Sequence, residues 1–158
     1  MRKLFLALAV AAFVAVMAPA AFALVKARIA GTYDVDATFQ QNDLGVPAGT
    51  KSKDVWKFTK CRRAGCKTVN LDRQGGTANA HYKSTLHKVS KGVYKGTEGP
   101  FPYKCPQSPN STFTAANTVR LTKAKHGKAT AWKGTEKVKV KNCSFLTFVN
   151  YSLVGKLR

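Results

Sequence analysis

The stretch "ATAWKGTEKVKV", residues 129–140, alternates along its whole length. Trp132, Gly134 and Glu136 fall on one side of an extended chain. Lys133, Lys137, Lys139 and, one step further, Lys141 fall on the other. A period of two is the mark of a β-strand; an amphipathic helix would repeat every 3.6 residues. Upstream, Tyr94–Glu98 reads "YKGTE" against "WKGTE" at Trp132–Glu136, and these two words hold the only glutamates in the chain. The large aromatic is expected to face inward, with the glycine leaving room for it. The glutamate then lies on the inner side toward the strand end, at a rim where lysine and water can reach it, because burial alone would be costly.

The same grammar extends over the rest of the chain. Strands are predicted at about 28–39, 54–59, 67–73, 78–89, 92–98, 112–123, 129–140 and 145–157. In the first of these, Ile29, Tyr33, Val35, Ala37 and Phe39 share a face, and Asp34 and Asp36 take the other. "QQNDLGVPAGTKS" at 40–52 reads as a long loop, "KHGK" at 125–128 as a hairpin tip, and the Pro-rich "GPFPYKCPQSPNS" at 99–111 as a loop. Short turns join most neighbours, so the expected fold is all-β: an eight-stranded antiparallel up-and-down β-barrel, whose closure removes the strand edges. A two-sheet β-sandwich is the alternative. Ala78-Asn79 and Cys105 recur at Ala116-Asn117 and Cys143, at the same offset as the two KGTE words. Convergent strand grammar explains this more simply than duplication.

The chain opens with "MRKLFLALAVAAFVAVMAPAAFA". A basic start at Arg2 and Lys3, an apolar run and a small-x-small site at Ala21–Ala23 form the pattern of a secretory signal peptide. Residues 1–23 are therefore expected to be removed, leaving 24–158 as a single secreted domain. No later segment is apolar for long enough to span a bilayer. In an exported chain an even number of cysteines reads as disulfides. Three pairings are possible. The "CRRAGC" spacing suits a bridge from Cys61 to Cys66 across a hairpin mouth, which leaves Cys105 with Cys143. That second bridge should contribute about 3–4 kcal/mol by restricting the unfolded chain. The loose C-x4-C spacing, with no histidine nearby, argues against zinc.

The formal charge of +20 falls to about +18 once the signal is removed. Arg120, Lys123, Lys125 and Lys128 of one predicted hairpin join Lys133, Lys137, Lys139 and Lys141 in a cationic stripe. Such a stripe fits an anionic envelope polymer or a lipid surface, with an affinity that falls steeply with salt. Specific nucleic-acid binding is disfavoured by export, and by aromatics that alternate onto the face away from the lysines. Tyr33, Trp56, Phe58, Tyr94 and Trp132 are expected inside, where they either fill the barrel or line a pocket for a small hydrophobic ligand. Glu98 and Glu136, two strands apart, would stand about 9.6 Å from each other along the sheet. That lies near the upper end of the roughly 6.5–9.5 Å used by inverting glycosidases, but nothing else marks a sugar cleft. His81 and His87 alternate with Lys83 on an outer face and His126 sits in a hairpin tip, so no metal site, catalytic triad or cofactor loop is predicted. Asn110, Asn142 and Asn150 sit in glycosylation sequons.

"GTY" at Gly31–Tyr33, together with the closing "SLVGKLR", resembles the lipocalin and avidin-like barrel superfamily, with Tyr33 standing where that family carries Trp. The resemblance implies that Lys156 or Arg158 packs against that aromatic. Trp56-Lys57-Phe58-Thr59 followed by Cys61 and Cys66 resembles uncharacterised small secreted bacterial proteins with a W-x-F-T strand and a cysteine pair. The expected protein is thus a secreted, non-enzymatic, monomeric binding or envelope-associated barrel. A carrier of a small hydrophobic ligand and a glycoside hydrolase using Glu98 and Glu136 are the alternatives.

Overall fold

The computed structural model describes residues 26–59, 61–62, 65–75, 80–106, 108–144 and 146–158. The expected signal segment at 1–23 lies outside them. The alternating stretch forms β7 (Lys128–Lys141), the partner of β6 (Thr112–Lys125). Their hairpin turns on His126 and Gly127, both at positive φ (49° and 71°), the conformation that a two-residue turn matching strand twist requires. The other strands are β1 (Gly31–Asn42), β2 (Lys51–Thr59), β3 (Thr68–Gly75), β4 (Ala80–Ser90), β5 (Val93–Pro102) and β8 (Phe148–Leu157). Each pairs antiparallel with the next, and β8 returns to β1, which closes the barrel. The sandwich alternative is excluded. Disulfides join Cys61 to Cys66 and Cys105 to Cys143, as the spacing suggested, and suit an oxidising environment.

The stretch 99–111 departs from its reading as a loop. β5 continues through Gly99, Pro100, Phe101 and Pro102, and the chain leaves the sheet only at Tyr103. Prolines survive there because β4 and β5 pair only over His87–Ser90 and Val93–Lys95. Beyond that, β5 follows β6 alone, with a register shift between Glu98 and Phe101, so the missing N–H groups cost no ladder bond on the β4 side.

One end of the barrel is filled. Trp56, Trp132, Tyr33 and Phe58 are wholly buried and meet as a ring cluster, the two indoles 5.1 Å apart between centroids and Tyr33 edge-on to Phe58 at 5.5 Å. Ala27 and Ile29, ahead of β1, are buried beneath them, and the Tyr33 hydroxyl donates to the Ala129 carbonyl at 2.6 Å. Gly134 was expected to make room for Trp132, but most of that room comes from Gly155, its register partner on β8. A Cβ on Gly155 would run into the indole. Lys156 and Arg158 turn outward, and Arg158 pairs with Asp34 at 2.7 Å. The cation that the barrel resemblance places against the strand-one aromatic therefore does not reach Tyr33, which is enclosed by Phe58 and Trp132 instead.

Candidate ligand-binding cavity

The other end is built differently. Three of its loops are 43–50 between β1 and β2, 103–111 between β5 and β6, and 142–147 between β7 and β8. The last two are tied by Cys105–Cys143. Asp43 fastens the first to the third by accepting from the Thr147 amide and hydroxyl. Inside these loops lies a cavity of about 560 Å³. Its walls are apolar and aromatic, among them Phe39, Phe113, Val140, Leu146 and Val149, with Tyr82, Tyr103 and Tyr151 adding ring faces and hydroxyls.

The floor is charged. Inward-facing positions on five strands meet at one level of the barrel. Arg73 of β3 donates from Nη1 to Glu136 Oε1 of β7 at 2.6 Å, and its Nε lies 3.6 Å from Glu98 Oε1 of β5. Asn117 of β6 donates from Nδ2 to the same Glu98 oxygen at 2.6 Å. The guanidinium lies over the Tyr82 ring of β4, 5.0 Å from its centroid. Arg73, Asp54 and Glu136 reach the cavity surface, whereas Glu98 lies beneath it. Two buried acceptors, Glu98 Oε2 and Asn117 Oδ1, find no protein donor.

Three carboxylates thus surround one guanidinium. Burial pushes the Glu136 carboxyl up to about 7; Arg73 opposes that shift and Glu98 adds to it. Burial likewise raises Glu98 and Asp54, against the pull of Arg73. Burial works against the charge on Arg73, but Glu136, Glu98 and Asp54 outweigh it, so the guanidinium stays protonated. Tyr151, register partner of Glu136, is pushed up to about 12 by burial first and by Glu136 second, and remains a hydroxyl donor.

These positions correct one expectation and decide another. The glutamates do not sit at a rim beside lysine. They are 1 % and 2 % exposed in mid-barrel, because β5 runs on past Glu98 and β7 past Glu136, and their partner is Arg73. Sequence reasoning missed that arginine, although its signal was present: Val69, Leu71 and Arg73 share one strand face. Of the two roles expected for Tyr33, Trp56, Phe58, Tyr94 and Trp132, filling the barrel or lining a pocket, they take the first and line none of the cavity. They pack against one another and their neighbours in the filled half. Only one of the two glutamates is on the cavity surface, a poor arrangement for a pair that must flank one glycosidic bond.

Alternation accounts for Arg120 and the four lysines of β7 at 133–141, but not for Lys123 and Lys125, which share parity with buried Leu121 and are exposed beyond the register shifts that follow it. Lys133, Lys137, Lys139 and Lys141 are exposed on the outer face of β7, with Arg120 directly opposite Lys133 and Lys125 opposite Lys128. Lys123 is exposed on β6, opposite Ala131. Among the described residues none of these eight pairs with a carboxylate. Asp34 and Asp36 on β1 pair with Arg158 and Lys53, and Asp72 on β3 lies 3.0 Å from His81 Nδ1. Neither a scan against protein-family models nor a search of curated proteins finds a match to this chain.

Proposed function

We propose that the chain is a secreted, non-enzymatic carrier that holds one small molecule in the open half of its barrel. The observation that carries this reading is the cavity of about 560 Å³, of the size used for small ligands, with apolar walls and a few convergent polar groups on its floor. Maintaining it is costly. An ion-paired floor contributes less stability than an apolar core of the same volume, and the opposite end shows that this sequence can fill a barrel. The signal-like start and the disulfides support an exported carrier. Native mass spectrometry of the protein as exported tests the proposal, beside an Ala37→Trp variant that fills the cavity. A small-molecule adduct present on the wild type and lost from the variant is expected. No adduct on either, or the same adduct on both, would contradict it.

A second reading concerns the outside. Glu98 and Glu136 are the only acids in β5–β8 and both face inward, so that outer wall carries cations uninterrupted by a carboxylate. This favours docking of the loaded barrel on an anionic envelope polymer or lipid surface. Retention on anionic beads should fall steeply as salt rises, and should drop after reversing Lys137, Lys139 and Lys141 to Glu. Retention that ignores both salt and charge reversal would rule the docking out.

A further inference from the structure

If the cavity binds a small molecule, the charges on its floor select among chemical classes; this inference rests on the carrier reading. Among the described residues Arg73 is the only cation of the buried floor, and Glu136 already holds it. Its Nη1 is on Glu136, its Nε faces Glu98 and its ring-like plane covers Tyr82. Lys53 stands at the cavity mouth, but its side chain is 90 % exposed and pairs outward with Asp36 at 3.3 Å. An incoming carboxylate would have to share Arg73 with Glu136 and lie against Asp54 and the other acids of the floor. An incoming cation meets the opposite situation. Three carboxylates, Glu136, Glu98 and Asp54, act on the single guanidinium, and two of them, Asp54 and Glu136, reach the cavity surface.

The walls point the same way. Tyr82, Tyr103, Tyr151, Phe39 and Phe113 surround the cavity with ring faces and edges. Ring faces attract a desolvated cation by up to about 2 kcal/mol, the basis of aromatic cages for ammonium groups. A neutral apolar ligand would use the walls and make no use of the carboxyl groups on the floor.

We infer that the cavity takes a small organic cation, an amine or quaternary ammonium on an apolar or aromatic body, with its charge facing Asp54 and Glu136 and its body against the tyrosine and phenylalanine rings. The positive exterior does not forbid this. At physiological salt, charges further than about 8 Å away are largely screened, so the local field decides.

The test is a solution NMR titration of the full exported protein with three probes of one shape: 2-phenylethylammonium, 2-phenylethanol and 3-phenylpropionate. The ammonium should bind about tenfold or more tighter than the alcohol, a gap of about 1.4 kcal/mol, and the carboxylate most weakly. Asp54→Asn removes one cavity-facing charge without touching the Arg73–Glu136 bond. It should weaken the ammonium about tenfold and leave the alcohol unchanged. If Asp54→Asn does not fold, the wild-type order of the three probes decides alone. Binding of the alcohol as tight as the ammonium, or of the carboxylate tightest, overturns the cation assignment and leaves the carrier reading standing. Failure of all three at millimolar concentration overturns both.

Discussion

The two ends of this barrel share the same eight strands and are built on opposite principles. The closed end is close-packed and aromatic, with Trp56, Trp132, Tyr33 and Phe58 interlocked and the segment before β1 packed beneath them. The open end keeps a cavity above Arg73, Glu98, Glu136 and Asn117. The division of labour follows from what each chemistry does well. Close-packed rings give stability through burial, and a buried ionic floor costs desolvation yet fixes charges where a ligand can meet them.

The largest effects should come from breaking each end at its centre. Trp132→Ala removes the indole that Gly155 was shaped to accept, and should cost about 3–5 kcal/mol in chemical denaturation. Val149→Ala, in a wall that already borders space, should cost no more than about 1.5 kcal/mol. Equal losses would break the comparison. At the open end, Arg73→Met leaves Glu98 and Glu136 buried without their cation and should cost about 3–5 kcal/mol. Replacing all three, as Arg73→Met with Glu98→Gln and Glu136→Gln, should recover most of that loss. A triple variant as unstable as Arg73→Met would mean that the floor stabilises the fold in its own right.

A smaller effect follows from Glu136. Its folded-state pKa of about 7 lies above the ordinary 4.5, so the folded protein holds the proton more tightly than the unfolded chain. Its contribution to stability is therefore fully present below pH 4.5 and declines as pH rises toward 7, by up to about 3 kcal/mol at 1.36 kcal/mol per unit. The raised carboxyls of Glu98 and Asp54 act in the same sense. Denaturation curves across that window should show the wild type losing stability relative to Glu136→Gln. A difference that is flat, or of opposite sign, would refute the assignment. The smallest effect belongs to the outer wall. Reversing Lys137 and Lys139 should change stability by no more than about 0.5 kcal/mol, since both side chains stand in solvent without a carboxylate partner.

Alternation made the strands readable from sequence, because a half-buried strand writes its burial into every second residue. Trp132, Glu136 and Val140 turned inward and Lys133, Lys137 and Lys139 outward, as that rule requires. The spacing of Cys61 and Cys66 likewise sufficed to assign both bridges. Alternation gives a side chain's face but not its level along the barrel. Which residues meet across the lumen depends on strand stagger, a property of the closed sheet. Arg73 could be placed on the inner face, yet nothing local to "VNLDR" says that it reaches Glu136 on β7. For the same reason the inward aromatics could be named without knowing which half they fill. The prolines of β5 misled because the sequence cannot show that the β4 side of that strand is unpaired.

The central claim, that one half of the lumen is filled and the other holds a ligand, can be read directly by NMR of the exported protein. Spectra would be compared before and after its bound small molecule is removed by unfolding and refolding. The account predicts shifts confined to cavity-wall signals such as Ala37, Val138, Leu146 and Val149, with the Trp56 and Trp132 indole signals unmoved. Identical spectra, or shifts centred on those two indoles, would contradict it.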